Sequence, residues 1–80
     1  MNVNLLPKAA KYLLKLDSPI KNRITKSLVK LSLEPPQGDI ISMSGKDGFR
    51  LRVGKYRILF DIEDNEIIVS DIDLRGQIYK

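Results

Sequence analysis

Phe49-Arg50-Leu51-Arg52-Val53-Gly54-Lys55-Tyr56-Arg57-Ile58-Leu59-Phe60 is the stretch on which the fold turns. Apolar residues at 49, 51 and 53 alternate with arginines, and after Gly54-Lys55 the alternation resumes with Tyr56, Ile58, Phe60 and Ile62. A period of two is the mark of a strand with one face buried. Gly-X between two such runs is the residue pair of a two-residue type II′ turn, because glycine tolerates the positive φ at the first central position. The stretch therefore predicts a β-hairpin.

If Gly54-Lys55 is the whole turn, the register follows. Val53 faces Tyr56, Leu51 faces Ile58 and Phe49 faces Phe60 on the core side, while Arg52 lies opposite Arg57 and Arg50 opposite Leu59 on the other. Like charges directly across a ladder destabilise it by a few tenths of a kcal/mol to about 1 kcal/mol. A fold tolerates such a pair more readily when an anion sits between the two groups. Arginine suits phosphate because its planar fork donates two parallel hydrogen bonds and keeps its charge at any working pH. The plainer alternative is that Arg50, Arg52 and Arg57 are solvated, paired at most with Asp61 or Glu63. Lys46 and Lys55 add positive charge nearby.

Downstream, Asp64-Asn65 marks a second reversal, and Ile67-Ile68-Val69 opens a third strand running to about Leu74. Its apolar character on both faces suggests a central or well-covered position. The register across Asp64-Asn65 could slip by one residue, which leaves open the face that Arg75 joins. Upstream, Asn2 to Leu6 suits a short strand, and Pro7 suits the first turn of a helix, where its missing N–H costs nothing. The helix Pro7–Leu16 carries Ala9, Leu13 and Leu16 on one side and Lys8, Lys11 and Lys15 on another. Asp17-Ser18-Pro19 reads as a break and a cap, with Ser18 as the capping residue and Pro19 first in the next helix. That helix carries Ile20, Ile24, Leu28 and Leu31 on its apolar face and Arg23, Lys26 and Lys30 on its basic one. It must end by Pro35-Pro36. The two helices form a short-turned, roughly antiparallel hairpin.

The expected fold class is thus α+β, as a single domain over residues 1–80: an N-terminal strand, a helical hairpin, then a mainly antiparallel three-stranded meander. Eighty residues bury only about 60–65% of the surface the unfolded chain exposes. Stability should be modest. The chain has no cysteine and no histidine, which removes disulfides, cysteine-based metal sites and the usual imidazole acid–base group. A reducing compartment suits it, and a cytoplasmic location is expected. The first six residues are too short and too uncharged for a secretion signal, and no apolar run approaches the roughly 18 residues needed to span a bilayer. No membrane partner is expected. The net charge of +4 is uneven: residues 1–57 hold twelve Lys/Arg against four Asp/Glu, and residues 58–80 hold two against six, which gives +8 and −4. The basic front suits a phosphate backbone or an acidic protein segment, although a solvated surface accounts for it equally well.

Several segments together carry a resemblance: Pro36-Gln37-Gly38-Asp39-Ile40, then Gly45, then the hairpin 49–60, then Arg75-Gly76-Gln77-Ile78-Tyr79-Lys80. In pattern, order and spacing they are similar to the C-terminal signature of RelE-type toxins, within the RelE/ParE superfamily of type II toxin–antitoxin pairs. The Ala-rich first helix, the Leu-Lys-Leu-Asp junction and the basic second helix extend the likeness over essentially the whole chain.

The resemblance implies a metal-independent messenger-RNA endoribonuclease that acts in the ribosomal A site through attack of a ribose 2′-hydroxyl on the adjacent phosphate. By position it implies catalytic roles for Arg57, Arg75 and Tyr79, and RNA or phosphate binding by Arg50 and Arg52, with Lys46 and Lys55 beside them. It implies no cofactor, and as partners the ribosome, messenger RNA and a cognate antitoxin with an acidic segment, in a hetero-oligomer. Lys11, Lys15, Arg23, Lys26 and Lys30 are candidates for antitoxin contact. Some members of the family carry lysine where this chain has Arg50 and Arg52. Arginine cannot serve as an ordinary general base, so that role passes to Tyr79, whose phenolate nearby positive charge would favour. The same fold also serves ParE-like inhibitors of DNA gyrase, which need no arginine–tyrosine set, and it could serve an inactive module that binds an acidic partner. Asp61, Asp71 and Asp73 offer a weaker alternative, a metal-dependent nuclease using hard carboxylate ligands.

Overall fold

In the computed structural model, which describes residues 1–42 and 48–74, the elements run β1 (Asn2–Leu5), α1 (Pro7–Lys15), α2 (Ser18–Leu31), β2 (Asp39–Ser42), β3 (Phe49–Val53), β4 (Tyr56–Glu63) and β5 (Glu66–Leu74). The strands form a single mixed sheet in the order β1-β5-β4-β3-β2. Only the β1–β5 pair is parallel. The expected α+β order is present, with one strand more than the sequence predicts. That strand is β2, four residues long, which pairs antiparallel with β3 at the sheet's edge.

The hairpin has the predicted register, with Val53 opposite Tyr56, Arg52 opposite Arg57, Leu51 opposite Ile58 and Phe49 opposite Phe60. Gly54 sits at φ 58°, while Lys55 stays out of the left-handed region, as a type II′ turn requires. At the next reversal Asp64 and Asn65 both take positive φ, 48° and 62°, and Glu63 pairs directly with Glu66. No slip occurs there. It occurs just beyond the pair three steps deeper in the ladder, by way of a bulge: Phe60 pairs with Val69 but Leu59 pairs with Asp71, so Ser70 is the extra residue. Its hydroxyl donates to the Leu59 carbonyl at 3.4 Å. A bulge reverses the facing of all that follows. Without it Ile72 would share a side with Arg57; with it Ile72 is buried opposite Ile58, and Asp71 and Asp73 turn to the arginine side.

Both helices lie on the face opposite the arginines. Ala9 of α1 and Ile24, Leu28 and Leu31 of α2 are buried with Leu51, Val53, Ile58, Phe60, Ile67, Val69 and Ile72. Leu13, Leu16 and Ile20 pack against this core from its margin. Phe49 and Phe60 stack across the hairpin with ring centroids 5.4 Å apart, a cross-strand pair of the kind that stabilises a sheet face. Pro7 opens α1 as expected. At α2 the boundary differs by one residue: Asp17 takes the cap position, Ser18 is already helical and no side chain caps the end. Pro19 fits there because every N–H of the first turn lacks a helical partner in any case. Leu16 likewise falls just outside α1, as its C-terminal cap. No helix is long and apolar enough to cross a membrane among the described residues.

Candidate nucleic-acid interface

Successive pairings place one row of side chains across four strands. Asp39 of β2 lies opposite Arg52 of β3, Arg52 opposite Arg57 of β4, and Arg57 opposite Asp73 of β5. The next row on the same face is Ile41, Arg50, Leu59 and Asp71. The three arginines therefore share one side of the sheet, as the alternation predicts. The like-charged pair at the centre is flanked by an acid on each side, which the sequence does not suggest.

The flanking acids act unequally. Arg52 donates from Nε to Asp39 Oδ2 at 2.9 Å and from Nη2 to Oδ1 at 3.3 Å, a two-pronged contact between exposed side chains. Neither Asp61 nor Glu63 forms an ion pair among the described residues, and the acid that engages Arg52 is Asp39. Asp73 finds partners on its own strand and on α1. Its Oδ1 accepts from the Leu74 N–H at 2.8 Å, and its carboxylate also faces Tyr12 of α1. Burial first, then the negative charge of Asp73, pushes the Tyr12 hydroxyl above its ordinary pKa. Asp71 accepts from Lys8 Nζ at 3.3 Å.

The arginines grade from open to covered. Arg52 is exposed, Arg50 intermediate, and Arg57 retains only 9% of its surface. A charged group so covered acts in a medium where its field is far stronger than in water. Lys55 is exposed at the β3–β4 turn. Lys11, Lys15, Arg23, Lys26 and Lys30 are all exposed on the helices; Lys11 and Lys15 border a hollow with Lys8, Tyr12 and Asp73, while Arg23 lies apart, against the Gly54 turn. Arg75, Tyr79 and Lys46 lie outside the described residues. Asp71 and Asp73 face the arginine side, but no group of three acids that could hold a metal ion occurs among the described residues. Sequence reasoning overlooked Asp39 and Tyr12. Asp39 had one signal, its place just after Gly38 in a segment able to extend; Tyr12 had none, because a tyrosine among helix lysines looks like an ordinary amphipathic position.

A family profile described as the ParE toxin of the type II toxin–antitoxin system, parDE, matches residues 3–79. The chain belongs to this family, within the RelE/ParE superfamily. No curated protein matches its sequence. Among solved structures it is similar to the archaeal RelE–RelB complex from Pyrococcus horikoshii OT3, with a TM-score of 0.80, 25% identity, and coverage of 95% of this chain and 96% of that one. The RelB–RelE antitoxin–toxin complex from Methanococcus jannaschii gives a TM-score of 0.78 at 24% identity, covering 95% and 94%. The intact E. coli RelBE toxin–antitoxin complex gives 0.77 at 22%, covering 94% and 96%.

Proposed function

We propose that this toxin is a metal-independent endoribonuclease that cleaves messenger RNA in the ribosomal A site and is held inactive by a cognate antitoxin with an acidic segment. The observation that carries the reading is the placement of Arg50, Arg52 and Arg57 on one side of the β3–β4 ribbon. In the reaction, a ribose 2′-oxygen attacks the adjacent phosphorus, the bond to the 5′-oxygen breaks, and the leaving oxygen takes up a proton. Arg57, the most covered of the three, would stabilise the charge that builds on the phosphorane oxygens, usually the largest contribution to such catalysis. Arg50 and Arg52 would hold the backbone on either side. Arg75 would join Arg57, and Tyr79, as phenolate, would take the 2′-hydroxyl proton.

A gyrase-inhibiting role is favoured by two observations: the matching profile is that of the ParE toxins, and Asp39 engages Arg52 within the sheet. Primer extension on cellular messages after induction, run beside a gyrase supercoiling assay, separates the two. Under the nuclease reading, discrete cleavage sites appear, supercoiling is untouched, and Tyr79→Phe lowers cleavage by about 10²–10⁴-fold. Blocked supercoiling with intact messages overturns it.

A further inference from the structure

Gly54 takes a φ of 58° at the β3–β4 turn, and an α2 side chain lies close against it. A Cβ at this position would stand 2.9 Å from Arg23 Nη2 and 3.4 Å from its Cζ. The guanidinium of Arg23, reaching from α2, is thus laid against the bare backbone of the turn. Lys55 stands beside it, and Ile20 and Tyr56 complete the walls of a hollow of about 460 Å³. Among the described residues neither Arg23 nor Lys55 has an acidic partner, whereas Lys8 and Arg52 each have one. Tyr56 is half-buried and braced by Tyr12, ring centroids 6.5 Å apart in an edge-on contact.

This hollow lies on the helix side of the hairpin tip, and the Arg52–Arg57 pair lies on the other side, one residue pair from the turn. From Arg57 to Lys55 is two strand residues, about 7 Å, comparable to the span of one nucleotide. A backbone that leaves the arginine face over the tip meets Lys55 and then the Arg23 fork.

We propose that Arg23 and Lys55 form a second phosphate-binding position for single-stranded RNA that passes over the β3–β4 turn, with Tyr56 as the wall on which the adjoining base stacks. The inference rests on the RNA-binding reading above and extends it from the reacting linkage to a neighbouring nucleotide. Continuity with the arginine face favours RNA over an acidic peptide. Stacking on an aromatic wall is tolerant of base identity, so this position would add affinity without sequence preference.

Binding is measured by fluorescence anisotropy, with a labelled trinucleotide, a labelled octanucleotide and a labelled Glu-rich peptide, over a series of salt concentrations. Arg23→Ala, an exposed helix change, should weaken octanucleotide binding roughly five- to tenfold and reduce the salt slope by about 0.7. Trinucleotide binding should be unchanged, and Arg23→Lys should restore part of the loss. Equal octanucleotide affinity in wild type and Arg23→Ala overturns the proposal, as does a wild type that does not bind the octanucleotide, or a loss confined to the peptide. The readout is binding alone, so a wild type that binds RNA but leaves messages uncut overturns the nuclease reading and not this one.

Discussion

Asp39 and Arg52 face each other across β2 and β3, joined by two hydrogen bonds of 2.9 and 3.3 Å, so that a ligand must compete with Asp39 for one prong of the arginine face. Both side chains are substantially exposed, so the pair contributes less than about 1 kcal/mol to stability. Asp39→Asn should therefore leave the urea midpoint nearly unchanged while freeing Arg52. Single-stranded RNA should then bind more tightly and with a steeper salt dependence, measured by anisotropy at several ionic strengths. Unchanged affinity would remove Arg52 from the RNA surface.

Arg57 is the test of the chemistry. Arg57→Lys keeps the charge but loses the planar fork. Ribosome-dependent cleavage should fall by roughly 10²–10³-fold, the cost of removing one donor aimed at developing charge. The thermal midpoint, recorded in parallel, separates loss of catalysis from loss of fold. Full cleavage by this variant would assign Arg57 a structural role only.

Gly38 has φ 140°, and a Cβ there would lie 2.7 Å from Leu51 Cδ1. Leu51 is itself 1% exposed in the core, so it has little room to yield. Gly38→Ala should cost about 1–3 kcal/mol, read as a lower urea midpoint at unchanged m-value. Because Gly38 precedes β2, the same change should also disturb the Asp39–Arg52 pair.

Tyr12 links stability to alkaline pH. Its pKa is raised above the ordinary tyrosine value of 10.0 by burial and by Asp73, so above about pH 10 the unfolded chain gives up a proton that the folded chain retains. The folded state then binds more protons than the unfolded one, and stability falls as pH rises. The contribution is fully present below that value and is lost as pH climbs through the folded pKa. Thermal midpoints recorded at increasing pH should fall less steeply for Tyr12→Phe than for wild type. Parallel slopes would show that the ring's environment does not distinguish the two states.

The hairpin was legible because three local signals agreed. The alternation of Phe49, Leu51 and Val53, its resumption at Tyr56, and the glycine at 54 all fix a single register, and with it the shared side of Arg50, Arg52 and Arg57. The strand Asp39–Ser42 was not legible. It has only four residues and two adjacent isoleucines in place of alternation, so pairing with β3 makes it a strand. The bulge at Ser70 escaped for a related reason: Ile67, Ile68 and Val69 offer apolar side chains to both faces, and either register would bury some of them. Missing these two features hid the acids at both ends of the arginine row. The cap position expected of Ser18 falls one residue earlier, at Asp17, and without a side-chain hydrogen bond, because both residues suit a helix start and Pro19 fits either frame.

The pairing of β1 with β5 sets Asn2 beside Glu66 and Leu5 beside Val69, so the first strand waits for the last before it has a neighbour. Closing so long a loop comes late and slows assembly. During synthesis β1 must stay without its sheet neighbour until β5 has emerged. Until β5 is in place, the only parallel seam among the described strands cannot form, and the sheet lacks the edge that β1 supplies.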